Sequence, residues 1–201
     1  MKLLRNIIFI AISAVTVLAT VSFAQQFSAT ETAERGVEAL LQTVQESKDY
    51  FLSDRERYFS AIEGVLDSFV DFDAVVEVVM NRYADAATEA QKQRFAVILR
   101  STLTRFYGAS LISYDGEELA FLPTADPNSD SRADTIVGME LRGSDNNLRL
   151  QYQMFINEND EWKLKNVSLA GINLGRQYFT QFSALMSQHD QNIDLVLDNW
   201  Q

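Results

Sequence analysis

The sequence predicts an α+β fold: N-terminal amphipathic helices, a curved antiparallel four-stranded sheet, and C-terminal helices. Three observations carry that prediction. Between Ser28 and Tyr107 apolar side chains recur at helical spacing, in runs opened by capping signals. From Thr135 to Leu169 the spacing changes to every second residue, the period of a strand with one buried face. After Gly171 it returns to helical. Helices and strands in separate blocks, rather than alternating, place the helices on one face of an antiparallel sheet.

The chain opens with Lys2 and Arg5, an apolar stretch from Ile7 to about Thr20, and then "VSFAQQ". A charged start, a short apolar run and small residues at Ser22 and Ala24 predict a cleavable signal peptide over residues 1–24. The run is short for a membrane span of about 20 residues, which favours cleavage over a retained anchor. The chain has no cysteine, which excludes an anchor through a lipidated first cysteine, disulfides, thiolate catalysis and cysteine-ligated zinc. Export without disulfides fits a bacterial periplasm better than a small secreted disulfide scaffold. Residues 25–201 then form a single domain. Losing Lys2 and Arg5 moves the formal charge from −11 to −13. So acidic a protein is not expected to bind nucleic acid, or to hold an anionic bilayer through charge.

Ser28 and Glu31 have capping-box spacing ahead of Val37, Leu40, Leu41 and Val44. Ser53 and Glu56 repeat the signal before Tyr58, Phe59, Ile62, Val65, Leu66 and Phe69. Asp71 is placed to cap a third helix carrying Phe72, Val75, Val76, Val79, Met80 and Tyr83. Thr88 and Gln91 open a long fourth helix whose stripe is Phe95, Ile98, Leu99, Thr102, Leu103, Phe106 and Tyr107.

Asp115-Gly116 signals a turn, and Pro123 ends the short strand after it. "TADPNSDSRAD" is a polar loop. Thr135, Val137, Met139 and Leu141 form one face of the next strand. "GSDNN" turns into a strand whose inward face is Leu148, Leu150, Tyr152, Met154 and Ile156, and "NEND" turns into a return strand. There Trp162 and Leu164 share a face with Val167 and Leu169, so the alternation slips by one place. That slip predicts a β-bulge near Lys165–Asn166, which would bend the sheet. A further helix carries Ile172, Leu174, Tyr178, Phe179, Phe182, Leu185 and Met186, and a short last one ends near Trp200.

No constellation supports catalysis. His189 is the only histidine and sits in the polar "SQHDQN", with no nucleophile-elbow motif in the chain to give it a partner. "DPNSDSRAD" has alternating Asp126, Asn128 and Asp130. It puts Ser131 where a calcium loop needs glycine and Val137 at the twelfth position, so it reads as a solvated loop. Capping accounts for Asp71 and solvent exposure for Asp73. "NVS" at Asn166 lies inside a predicted strand. No phosphate-cradling glycine loop occurs.

The segments "VDFDAVVEVVMNRYADAATEAQKQRFAVILRSTLTRFYGASLISYDG" and "WKLKNVSLAGINLGRQYFTQFSALM" resemble the MlaC (toluene-tolerance) family of periplasmic phospholipid-binding proteins. The resemblance is carried by Asp71-Phe72, the Thr88, Gln91, Arg94 and Phe95 cluster, Tyr107 before Gly108, the Trp162 strand and "QYFTQF", in that order. The chain departs from the family pattern at Asn81, where glycine is usual, at Phe179, where arginine is usual, and at "HDQN", which replaces a glycine-rich turn. The resemblance implies a phospholipid carrier of the periplasm. Its partners would be an outer-membrane lipoprotein–porin complex and an inner-membrane ABC transporter complex with a lipid-binding ring. Acyl chains would lie in an apolar pocket between sheet and helices. No cofactor, metal or enzymatic activity is expected, and the chain is expected to be a monomer.

Periodicity then nominates the lipid-binding residues. The sheet side is Val137, Met139, Leu141, Leu150, Tyr152, Met154, Trp162, Leu164, Val167 and Leu169. The helix side is Phe72, Val76, Leu103, Phe106, Tyr178 and Phe182. Methionine and amphipathic aromatics on these faces suit a pocket that accepts varied chains. The alternative is a periplasmic protein-interaction or chaperone module in which the helices fill that space completely.

Overall fold

The computed structural model describes residues 27–122, 132, 134–143 and 147–200. The signal-peptide segment, most of the calcium-like loop and the "SDN" of the turn before Asn147 lie outside the described residues. The helical first half comprises α1 (Ala29–Ser47), α2 (Tyr50–Ser53), α3 (Arg55–Phe69), α4 (Phe72–Met80), a 3-10 turn (Asn81–Ala86) and α5 (Glu89–Leu111). The sheet follows as β1 (Glu118–Leu122), β2 (Thr135–Arg142), β3 (Asn147–Ile156), β4 (Trp162–Leu169) and β5 (Ile172–Asn173), and the chain closes with α6 (Leu174–Gln188) and α7 (Ile193–Asp198).

Three of the four predicted caps form as read. Ser28 Oγ accepts the Glu31 N–H at 3.2 Å and the Glu31 carboxylate accepts the Ser28 N–H at 2.8 Å, a reciprocal box. Thr88 and Gln91 make the same box at the start of α5. Asp71 Oδ1 accepts the Ala74 N–H at 2.8 Å. The fourth moves by one residue, because the short α2 occupies the chain as far as Ser53. Asp54 caps α3, accepting the Arg57 N–H at 3.2 Å, and Ser53 donates back to the Asp49 carbonyl. Glu56 is thereby released from capping and clamps the Arg105 guanidinium of α5 through two bonds of 2.7 and 2.9 Å.

The sheet is antiparallel throughout, in the order β1-β2-β3-β4-β5. It has five strands where the sequence predicts four. The addition is the two-residue β5, paired with Ser168 and Leu169 across a tight turn in which Ala170 (φ 49°) and Gly171 (φ 83°) both adopt left-handed backbone. Two residues are too few to show a period, and alanine gives no turn signal. The bulge falls where the alternation slips: Gln153 pairs Asn166 and Met154 pairs Leu164, leaving Lys165 extra. Before the bulge, β4 has no β5 beside it. Its open edge is met instead by the α3–α4 link, where Val70 bridges Leu164 and the Asp71 N–H donates to the Leu164 carbonyl at 3.0 Å.

All the helices lie on one side of the sheet, and the core divides into three regions. Val76, Phe95, Leu99, Phe182, Met186, Val196 and Trp200 join α4, α5, α6 and α7. Tyr58, Phe59, Ile62 and Val44 join α1 to α3. Ala29, Ala33, Val37 and Phe69 pack against Val137, Tyr152, Met154 and Leu164 of the sheet. The other sheet face carries Glu140, Arg149, Gln151 and Gln153 and is open to solvent.

The departures from the family pattern have local physical consequences. Asn81 ends α4 with φ 49° and ψ −121°, a conformation that suits glycine; its own Oδ1 accepts the Arg82 N–H at 2.9 Å and partly compensates. Asp190 (φ 52°) and Gln191 (φ 61°) take left-handed backbone in "HDQN". Phe179 lies under the Arg82 guanidinium, 5.6 Å from the ring centroid.

Two stability predictions follow from close backbone geometry. A Cβ on Gly175 would lie 2.5 Å from Val78 Cγ1 and 2.8 Å from Asn166 Oδ1. Gly175→Ala is therefore expected to lower the urea midpoint, with a loss of about 1–3 kcal/mol; an unchanged midpoint would contradict the close α4–α6 approach. Asn81→Gly is expected to raise stability by about 1 kcal/mol in the same assay, since relief of the strained backbone outweighs the added freedom of the unfolded chain. A loss would mean the Asn81 side chain matters more than its backbone.

Candidate apolar chamber

Between the inward sheet face and the helices lies a chamber of about 480 Å³. Its sheet wall is Leu119 of β1, Met139 and Leu141 of β2, Leu148, Leu150 and Tyr152 of β3, and Leu164, Val167 and Leu169 of β4. The register sets Leu119, Leu141 and Leu148 side by side across three strands, and Leu150 beside Leu169. The opposite wall is built from Val37, Leu40 and Leu41 of α1, Leu66 and Phe69 of α3, Phe72, Val75 and Val79 of α4, Leu103 and Tyr107 of α5, and Tyr178 of α6. The rim consists of Ser110, Ser113, Tyr114 and Glu117, which follow one another from the end of α5 to the start of β1.

The polar groups inside present almost no free hydrogen-bonding capacity. Asn166 is fully engaged: its amide donates to Gln153 Oε1 and Asn173 Oδ1 at 3.1 Å each. Its Oδ1 accepts the Val167 and Gly175 N–H groups at 2.9 Å each. The Tyr152 hydroxyl points at Met139 Sδ, 3.8 Å away, and burial pushes its phenol well above the ordinary value. Tyr178 is pushed up as well, first by burial and then by a hydrogen bond with Tyr107. Lys165 reaches the chamber only with its stem, since its ammonium lies 5.4 Å from the Phe155 ring centroid and 4.0 Å from Asp134. Such a space recognises apolar bulk rather than any polar pattern.

Of the nominated residues, Phe72, Leu103, Met139, Leu141, Leu150, Tyr152, Leu164, Val167, Leu169 and Tyr178 lie on the chamber wall. The remaining six lie elsewhere. Val137 and Met154 have the predicted facing, but they sit beyond the closed end, packed with Ala29 and Ala33 of α1, and Trp162 is packed against the same group. Val76 and Phe182 belong to the C-terminal helical core beside Phe95. Phe106 points outward and is 66% exposed; the wall takes its neighbour Tyr107 instead. Among the residues that sequence reasoning missed are Val37, Leu40 and Leu41 of α1, Leu66 and Phe69 of α3, and Val75 and Val79 of α4, whose apolar stripes are legible but whose destination is not. The rim residue Glu117 carries no sequence signal of its own.

Comparison with known proteins agrees with this architecture. The family model described as MlaC protein matches residues 34–201. The chain is 29% identical over 163 residues to the toluene tolerance protein ttg2D of Pseudomonas putida, covering 80% of this chain and 74% of that protein. Its fold is similar to that of the phospholipid-binding protein from Ralstonia solanacearum, solved in complex with a phospholipid. The TM-score is 0.77 and the identity 21%, over 86% of this chain and 94% of the other.

The buried phenol gives the chamber wall a pH signature. An unfolded tyrosine titrates near 10.0, whereas folded Tyr152 holds its proton to higher pH. The stability it allows is fully present below pH 10 and falls as the pH rises toward the folded value. Above pH 10 the native protein is expected to lose about 1.4 kcal/mol per pH unit more than Tyr152→Phe does. Denaturation midpoints at pH 9, 10 and 11 for both proteins measure it. Parallel alkaline profiles would place the Tyr152 hydroxyl in solvent.

Proposed function

The chain belongs to the MlaC protein family, and from that premise we propose that it is a periplasmic phospholipid carrier that holds acyl chains in the chamber. The observation that supports this most directly is an apolar space, walled by sheet and helices and without free charge, that opens at a polar rim. A module with its core filled between sheet and helices would lack such a space.

The energetics favour a deep site. At about 0.8 kcal/mol per buried methylene, a two-chain lipid of roughly 30 methylenes gains on the order of 20 kcal/mol on leaving water. A lipid held that strongly does not leave by free dissociation on a useful timescale, so transfer requires a docked partner that offers another apolar path. In this reading the donors and acceptors are an outer-membrane lipoprotein–porin complex and an inner-membrane ABC transporter complex with a lipid-binding ring. The chain has no nucleotide-binding glycine loop, and any energy input comes from the transporter. Among the described residues no helix is long and apolar enough to cross a membrane.

Mass spectrometry of the protein, purified without detergent from a periplasmic extract, is expected to find bound phospholipid. Val167→Trp puts an indole into the chamber from β4 and should lose most of that lipid with its circular dichroism intact. Phe106→Ala, at an exposed site, should retain it. Lipid-free native protein that also takes none up from vesicles would end the carrier reading, as would equal lipid in the native protein and Val167→Trp.

A further inference from the structure

Asp115-Gly116 is the only place in the chain where aspartate or asparagine precedes glycine. It lies on the link between α5 and β1, and both residues are exposed. Gly116 takes left-handed backbone, φ 87°, and a Cβ built there would meet nothing within 4 Å. The missing side chain therefore serves no packing. Two bonds shape the turn: the Asp115 N–H donates to Glu117 Oε2 at 3.0 Å, and the Tyr114 hydroxyl donates to the Glu117 carbonyl at 3.2 Å. Neither bond uses the Asp115 carboxyl or the Gly116 N–H. Among the described residues that carboxyl joins no hydrogen bond or ion pair, and that N–H meets no acceptor.

Those two unused groups are the partners of one intramolecular reaction. The Gly116 nitrogen attacks Asp115 Cγ, a C–N bond forms, and the carboxyl hydroxyl leaves as water with the amide proton. The product is a five-membered succinimide, one water lighter than the chain. Water then opens the ring. Attack at Cγ restores aspartate, whereas attack at the main-chain carbonyl breaks the original peptide bond and leaves isoaspartate, its chain running through Cβ and Cγ. One water is lost and one regained, with no oxidant, cofactor or enzyme. Glycine favours the step because it puts no side chain beside the attacking nitrogen and lets the backbone swing freely. Among the described residues, the other aspartates that precede a small residue lie in helical turns: Asp67 in α3, Asp73 in α4 and Asp85 in the 3-10 turn. Asp67 is paired with Arg100 at 2.8 Å, and the Ala74 N–H after Asp73 is held by Asp71.

We propose that Asp115 is a site of spontaneous isomerisation to isoaspartate, and that the product opens the Tyr114–Glu117 turn beside the chamber. Isomerisation lengthens the main chain by one atom between the Asp115 N–H and Glu117, the two ends of the bond that closes the turn. Tyr114 and Glu117 both line the chamber, so its rim is what loosens as the protein ages.

The full protein is aged for weeks in warm neutral buffer, folded in one sample and unfolded by urea in another. Isoaspartate is labelled by an isoaspartyl methyltransferase, which methylates its free α-carboxyl, and is placed by peptide mapping. The folded protein is expected to carry several-fold more label at Asp115 than at Asp67, Asp73 or Asp85, with a companion peptide one water lighter. Asp115→Glu should lose the label at that position, since the ring it would have to close is six-membered and forms more slowly. Hydrogen exchange at the Glu117 amide, which reads local opening, should quicken in the aged native protein and hold its starting rate in aged Asp115→Glu. Label at Asp115 in the urea sample alone, or no more label there than at Asp67 in the folded one, overturns the proposal. Unchanged exchange in protein that has isomerised overturns the opening of the turn. None of these readouts depends on what the chamber holds, so they leave the carrier reading to its own test.

Discussion

The chamber depends on one side chain at one irregularity. Lys165 is the extra residue in β4, and next to it Asn166 spends its whole hydrogen-bonding capacity joining four pieces of backbone and side chain. It ties the bulge to Gln153 of β3, to Asn173 at the cap of α6, and to the Gly175 N–H within the first turn of that helix. Gly175 is the residue that allows the approach, since any side chain there would strike Asn166 and Val78. The bulge turns the sheet, and the same asparagine fixes where the helix after the sheet begins. Tyr178 is one turn further on, opposite Tyr107 of α5. A direction set in the sheet therefore becomes the position of the chamber's far wall.

This junction also explains why the core is divided. In an ordinary α+β domain the helices would settle onto the sheet until its inward face was filled. Here α1 packs on the sheet at the end of Val137 and Met154, while α4, α5, α6 and α7 make a separate core around Phe95, Phe182 and Trp200. Between the two, Phe69, Val70 and the Leu164 bridge fix the spacing. The clusters hold the walls apart as rigid bodies, because close-packed interiors resist deformation. Left unfilled, a chamber of about 480 Å³ would forfeit on the order of 10 kcal/mol of contact energy, at roughly 24 cal/mol per Å³. That is comparable with the whole net stability of a domain. Such a space is sustained by the helices' own packing and, on the proposed reading, by the acyl chains that enter it.

Most of the fold was legible because it is written in local signals. Capping boxes fix where α1 and α5 start, the two-residue period fixes the facing of β2, β3 and β4, and the one-place slip locates the bulge to within a residue. The site was legible in part, for a physical reason. Periodicity says which face of an element is apolar, but not whether the space beyond that face is occupied. Val137 and Met139 share a face and a period; one is core and the other is wall, because α1 begins over the first of them. Phe106 and Tyr107 are adjacent in one stripe, and the choice between them depends on a few tens of degrees of helix rotation set by Phe59 and Ile62 packing near Gly108. Glu117 was invisible as a lining residue because it is placed by the turn around it, through the Tyr114 hydroxyl and the Asp115 N–H, rather than by any period.

In the proposed carrier the interior supplies retention. Apolar burial is large and nondirectional, so the interior gives affinity to anything with long chains and discriminates poorly among them. Charge at the rim is weak in water but directional, and contributes fractions of the total. If headgroup contacts supplied most of the hold, release would require breaking a specific polar site in each transfer. With the hold supplied by the chamber, as proposed, a docked partner can draw the chains along a continuous apolar surface. The net negative charge of the protein, −11 over the whole chain, acts in the same direction. On the proposed reading it disfavours adsorption to anionic membrane surfaces through charge.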